Sequence, residues 1–238
     1  MVSCYSASAL EKAVVRVSAE IESIRSRNAQ TSYDERQLLS ELIACILGSQ
    51  VSFEMATSTA HQLLLSPVFD NLDYVHDPIH LEELLSGELS RPIADSNSPC
   101  HGRRFRFWRT KAHAIAQTMH AVYGEGTSIR TILSASADEG EARDKLVRIA
   151  VGIGPKQASL FLRNIGCAVN LAVLDSHVLR YMRWLGIVRS IPRALQSIKA
   201  YEVLEGKLAS YASAIGYPLK FIDEAIWVVM RVAGAGVK

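Results

Sequence analysis

Val151-Gly-Ile-Gly-Pro-Lys-Gln-Ala-Ser159 interrupts a chain that otherwise reads as one helix after another. Upstream, Leu146, Val147 and Ile149 recur at helical spacing, and downstream Ala158, Phe161, Leu162 and Ile165 do the same. Between the two runs, Gly152 and Gly154 flank a single apolar residue. Glycine tolerates a positive φ and lets other groups approach the backbone closely, so the segment reads as a tight turn joining two helices. Nineteen positions after Lys156, in Leu174-Asp175-Ser-His-Val178, an aspartate stands where the next helix is expected to begin. A carboxylate there is a natural helix N-cap.

The helical period continues outward from this turn. Val14, Val17, Ile21 and Ile24 recur at three- and four-residue spacing, as do Leu38, Leu39, Leu42, Ile43 and Ile46. The same pattern predicts helices at about 53–65, 79–86, 105–123, 141–150, 156–166, 176–185, 193–213 and 218–232. Ala168 to Val173 is short and apolar and reads as a connector. Breaks fall at Ser66-Pro67, Asp77-Pro78, Arg91 to Gly102 and Tyr123-Gly-Glu-Gly126. The expectation is an all-α chain forming one domain over 1–238, with two helical lobes and a groove between them. The N- and C-terminal helices would form one lobe, and residues from about 105 to 190 the hairpin lobe.

At 238 residues, 49% hydrophobic and 21% charged, the composition is that of a globular protein with ample core. No apolar run approaches the ~20 residues of a membrane span. Met1 to Val17 carries Glu11, Lys12 and Arg16 without an uninterrupted apolar core, which is not a secretory signal. Cytoplasmic residence, a monomer and no membrane partner are expected. Cys4, Cys45, Cys100 and Cys167 contain no C-x-x-C pair, which argues against a zinc ribbon or a Cys-ligated iron–sulfur cluster. Cys45 and Cys167 read as core thiols. The net charge of +2 hides an asymmetry: residues 1–90 hold 5 Lys/Arg against 13 Asp/Glu, and residues 91–238 hold 21 against 11. Within 143–189 the balance is 8 basic to 2 acidic, so the turn and its flanks suit a polyanion.

Helix, Gly-x-Gly turn and helix together make a helix–hairpin–helix pattern. The bare N–H groups of such a turn hold a nucleic-acid phosphate without reading sequence. Lys156 alone is a phosphate contact or a solvated lysine, and Asp175 alone is a cap. The first helix runs outward and the connector returns, so an amine and a carboxylate are expected near one another beside the turn. His101-Gly-Arg-Arg-Phe-Arg-Phe-Trp-Arg109, continuing to Lys111, interleaves basic and aromatic residues. Phe105, Trp108 and Ala112 fit a buried stripe, leaving arginines such as Arg104 and Arg106 for backbone phosphates.

Gly152 to Gly166, with Leu174-Asp-Ser-His-Val-Leu179, resembles the helix–hairpin–helix superfamily of DNA glycosylases, and in particular the type 2 branch of 8-oxoguanine DNA glycosylase/lyases of archaea and some bacteria. The resemblance spans roughly residues 35–238, including the helix from about Leu38 to Leu65 and Phe221-Ile-Asp-Glu-Ala-Ile-Trp227. It implies that Lys156 is the nucleophile and Asp175 its catalytic partner. Leu47-Gly-Ser-Gln-Val-Ser52 is similar to the loop whose polar side chain enters the duplex, with Gln50 as the match. The resemblance also implies that Trp227 and the C-terminal Lys238 approach the base, and that a monovalent cation can sit on the hairpin carbonyls. Gly152 and Gly154 belong to the phosphate-holding turn itself, and the place of His177 in the first turn of the next helix suits a structural or phosphate-binding role. No metal or organic cofactor is expected.

The implied activity is excision of a damaged base from double-stranded DNA after flipping it out, through a lysine Schiff base and strand cleavage, with 8-oxoguanine as the base. Pro155, Leu160 and Ser176 depart from the family pattern, and the loop from Arg91 to Gly102 is extended. Another modified base, including a hypermodified base of phage DNA, therefore remains open. So does a non-catalytic DNA-binding module.

Overall fold

Capping chemistry sets where the helices begin. In the computed structural model, which describes residues 6–27, 32–69, 72–192, 195 and 197–235, helix α1 runs Ala7–Arg27 and α2 Glu35–Leu47. Asp34 opens α2 with a capping box: Gln37 N–H donates to its carboxylate at 2.8 Å, and its own N–H donates to the Gln37 side chain at 2.9 Å. Ser52 caps α3 (Phe53–Leu64), Asp77 caps α4 (Pro78–Leu89), and Asp138 caps α7 (Glu139–Ile149), each by a side-chain oxygen that accepts from one first-turn N–H. Helices α5 (Trp108–Tyr123), α6 (Ile129–Ser134), α8 (Pro155–Asn164), α9 (Ser176–Trp184), α10 (Ile198–Ala214) and α11 (Leu219–Ala235) complete the set. Among the described residues there is no strand, only an isolated bridge between Pro92 and Arg104. The all-α expectation holds.

The chain divides into two units, Tyr33–Phe161 and Met1–Ser32 with Leu162–Lys238. In the first, Leu81, Leu85 and Leu89 recur every fourth residue along α4 and are buried, as are Ala112, Ile115 and Met119 of α5, against which α4 packs. Each fully buried leucine contributes about 2 kcal/mol from apolar area alone. In the second unit, α1 lies along α11, and Leu10 and Val14 join a core with Tyr181, Tyr201, Leu208 and Ile226.

The departures from expectation are local. The helix predicted from 105 begins at Trp108, and Phe105, 1% exposed, is buried ahead of it. The helix predicted over 193–213 runs Ile198–Ala214. Helix α6, six residues long, was not predicted, because it is too short to show a period. It begins where it does because Ser128 accepts from Thr131 N–H, and because Glu35 takes the N–H groups of Ile129 and Arg130 at 2.7 and 3.2 Å. Cys45 is buried as expected, but Cys167 is exposed, since the chain has already left α8 through a left-handed Gly166 (φ +77°). The extended loop is ordered: Ile93 N–H donates to Arg103 O and Gly102 N–H to Ile93 O, while Ala94 N–H donates to Gln62 of α3. No helix among the described residues is long and apolar enough to cross a membrane.

Candidate active site

The hairpin turn lies between α7 and α8. Gly152 has φ +79°, a left-handed conformation that favours glycine, whereas a Cβ there would meet the Ala114 methyl group only at an ordinary 3.4 Å. Val151 N–H donates to the buried Thr118 hydroxyl at 2.9 Å, and Ile153, 5% exposed, plugs the turn into the core. With its flanks anchored, the turn holds one shape. Pro155 opens α8 at a position where an N–H would have no helical partner, and its fixed φ suits the helix. The first-turn amides of Lys156 and Gln157 are left by helix geometry without intrahelical acceptors, which suits an anion.

Lys156, half-buried in that first turn, shares its unit with α2. Its ammonium is within electrostatic reach of Cys45. Burial pushes the Cys45 thiol well up and the Glu41 carboxylate adds to this, while the positive charge of Lys156 works against them.

Asp175 belongs to the other unit and caps α9. His177 and Val178 N–H both donate to its Oδ1, at 2.8 and 2.9 Å, and Oδ2 takes part in neither bond. The extended segment leading to it is held by three consecutive amides. Ala172 N–H donates to Glu205 at 2.8 Å, Val173 N–H to Asp223 at 2.5 Å, and Leu174 N–H to the Tyr201 hydroxyl at 2.9 Å. The Tyr201 hydroxyl in turn donates to Ala172 O at 2.7 Å. Asp223 also pairs with Arg163, and Arg163 donates to Lys220 O at 2.9 Å. Burial raises the Asp223 carboxyl to about 6, against the opposing pull of Arg163 and of backbone N–H donors.

The turn after α2 holds Gln50, which is exposed and has φ +68°. Among the described residues it is the one non-glycine with a positive φ, a conformation that strains an L-residue by on the order of 1–2 kcal/mol. Its neighbour Ser49 accepts from Lys111 Nζ at 2.7 Å, and the same ammonium donates to Ile46 O at 2.6 Å. Lys111 is 7% exposed, so it is not part of the cationic surface that the run from His101 suggests, and burial lowers its pKa. Phe53, three residues beyond Gln50, is 65% exposed at the first position of α3.

The arginines divide as expected. Arg103, Arg104, Arg106 and Arg109 are exposed, Phe105 and Ala112 are buried, and Trp108 is half-buried. The Arg106 guanidinium lies 5.0 Å from the Phe107 ring centre and that of Arg109 4.5 Å from Trp108. His177 is half-buried at the second position of α9, with Nδ1 enclosed and unpartnered. Trp227 is half-buried on α11 with Arg231 4.9 Å from its ring centre. Lys238 lies outside the described residues. No group of three or more His, Cys, Asp or Glu suited to a metal occurs among the described residues.

Sequence reasoning passed over Lys111 as a buried residue and Phe53, Tyr201 and Glu205 altogether, and gave Asp223 no role beyond its place in the segment Phe221 to Trp227. For Phe53 there was a signal, an aromatic directly after the Ser52 cap. The other roles arise from contacts between residues far apart in the chain.

Helices on both sides of an anchored Gly-x-Gly turn define a helix–hairpin–helix protein. Comparison with known proteins narrows this. The 8-oxoguanine DNA glycosylase family profile matches residues 93–217. A relative in Saccharolobus islandicus, named 8-oxoguanine DNA glycosylase/AP lyase, is 32% identical over 212 residues, covering 89% of each chain. The crystal structure of the Thermotoga maritima 8-oxoguanine DNA glycosylase superposes with a TM-score of 0.66 at 25% identity, over 92% of this chain and 94% of that one. A Methanocaldococcus jannaschii 8-oxoguanine glycosylase/lyase, solved with a 15mer DNA containing 8-oxoguanine, shares the fold at a TM-score of 0.62 and 24% identity, over 92% of this chain and 89% of that one. The chain belongs to the 8-oxoguanine DNA glycosylase family.

Proposed function

We propose that this protein removes 8-oxoguanine from double-stranded DNA and cleaves the strand at the resulting site, with Lys156 as the nucleophile. The observation that carries the reading is the placement of Lys156. It is half-buried in the first turn of α8, directly after a hairpin anchored at Val151 and Ile153, in a chain of this family. DNA would be gripped through phosphates by the hairpin N–H groups and the exposed Arg104 and Arg106, without sequence preference. The flipped base would be held beside Trp227, with Gln50 filling the space it leaves.

The free amine of Lys156 attacks the anomeric carbon of the deoxyribose as the glycosidic bond breaks. The base departs with the bonding electron pair and takes up a proton. Asp175 stabilises the positive charge that develops on the sugar. The aminated sugar opens to an imine linking Lys156 to the DNA. Loss of a proton from the neighbouring carbon then expels the 3′ phosphate, which cuts the strand, and water releases the enzyme. This chemistry needs no metal or organic cofactor. A monovalent cation on the hairpin carbonyls would serve phosphate binding only, and exchange of K⁺ for a bulky organic cation should then weaken DNA affinity while leaving single-turnover chemistry unchanged.

Borohydride trapping tests the reading. Wild-type protein should be captured covalently on a duplex containing 8-oxoguanine, and Lys156→Gln should not. Free base is measured in the same reaction. Base release that persists in Lys156→Gln, or release without any capture by wild type, would overturn the lysine mechanism.

A further inference from the structure

Lys111 closes a run of basic residues, yet it alone of Arg103, Arg104, Arg106, Arg109 and Lys111 is turned inward. Its ammonium binds a carbonyl in the last turn of α2 (Ile46, 2.6 Å) and the hydroxyl of Ser49 in the turn that follows (2.7 Å). A cation suits the last carbonyls of a helix, where partial negative charge accumulates. A methionine of similar length would fill the same space without the penalty of burying a charge, so the lysine is explained by its donors. The next residue after Ser49 is the strained Gln50. A left-handed non-glycine persists where its surroundings hold it, and Lys111 reaches the turn from a helix more than sixty residues away in sequence.

We propose that Lys111 is a positioning residue for base extrusion: it braces the turn that presents Gln50 to the duplex and takes no part in the chemistry at Lys156. This rests on the reading that Gln50 occupies the space of the flipped base. Through Ile46 it fixes the end of α2, and through Ser49 it fixes the turn one residue before the side chain that enters DNA.

The test uses the full chain and two substrates. Extrusion is followed by stopped-flow fluorescence of 2-aminopurine placed beside 8-oxoguanine in a duplex. Borohydride trapping on a duplex with a preformed abasic site reports lysine chemistry where no base remains to be extruded. Gln50→Ala and Lys111→Met should each slow extrusion about ten-fold, and the double variant should be no slower than Gln50→Ala alone, since the two act through one turn. Trapping at the abasic site should stay within about two-fold of wild type in Lys111→Met, an outcome that general loss of structure would not give. Multiplying effects in the double variant, or wild-type extrusion by Lys111→Met, would overturn the bracing role while leaving that of Gln50 intact. Wild-type extrusion by Gln50→Ala would instead remove the wedge reading, and the bracing role with it. Should Lys111→Met fail to fold, Ser49→Ala takes its place in the cycle. It keeps the bond to Ile46 and deletes only the one to the turn, with the same non-additivity expected.

Discussion

Gln50 and Asp175 are held in opposite ways. The turn carrying Gln50 is exposed, left-handed and tied by one buried ammonium. The segment entering Asp175 is extended and pinned at three successive amides by Glu205, Asp223 and Tyr201. The difference matches what each residue is proposed to do. A side chain that enters a duplex meets a partner whose shape varies, so a single brace suffices. A carboxylate that answers charge on a sugar must be in place before the charge appears, because preorganised groups need no rearrangement at that moment. One region is built for presentation and the other for immobility.

The contrast is most sharply broken by Asp175→Asn. Asparagine caps a helix as well as aspartate, so thermal unfolding should be unchanged. Single-turnover base release should fall by about a hundred-fold or more, as expected when a charge facing the transition state is lost. Near-normal release would reduce Asp175 to a cap. Next in size is Tyr201→Phe, which leaves the Leu174 amide and the Ala172 carbonyl unpartnered and buried, at a cost of about 3 kcal/mol in denaturant unfolding. Base release should fall with it, because the pinned segment loses its ties at both ends, at Ala172 and at Leu174 next to Asp175.

Asp223 tests the same region through pH. Its folded carboxyl titrates near 6, above the ordinary carboxylate value it would have in the unfolded chain. The folded protein therefore binds a proton that the unfolded chain has released. The stability this group contributes is full below the ordinary carboxylate range and is lost as pH rises through about 6. Measured by thermal or urea unfolding from pH 4 to 7, the advantage of wild type over Asp223→Asn should shrink by about 2–3 kcal/mol across that window. A flat difference would contradict it. Smallest is Gln50→Gly, which relieves the left-handed strain and should raise stability by about 1 kcal/mol. The same change should slow base release, so stability and activity part company in the presenting turn but fall together in the pinned segment.

Much of the fold was legible because it rests on local rules. Apolar residues at helical spacing gave most helices, and Gly152, Asp175 and the breaks at Asp77-Pro78 and Tyr123-Gly-Glu-Gly126 marked some of their ends, while the caps at Asp34, Ser52, Ser128 and Asp138 went unread. What escaped depends on partners distant in sequence. Helix α6 is too short to show a period, and its start is set by Glu35, more than ninety residues upstream. Lys111 carries the composition of a DNA-binding surface but is buried, and nothing local distinguishes it from the exposed Arg109. Glu205, Asp223 and Tyr201 look like ordinary residues of helices α10 and α11 until the chain returns past them. Cys167 fits an apolar pattern that ends one residue earlier, at the Gly166 turn. The proposed catalytic pair, Lys156 and Asp175, was legible through its motif, whereas the residues that hold Asp175 in place were not.

The left-handed backbone at Gln50 also acts as a filter on what can vary there. Glycine enters freely, and asparagine and aspartate enter with little strain, but valine, isoleucine and threonine are rejected by their own branching. A saturation library at this position, sorted for folded protein alone, should already be poor in branched side chains before any DNA is added. The chain geometry thus narrows what this turn can present toward glycine and unbranched side chains.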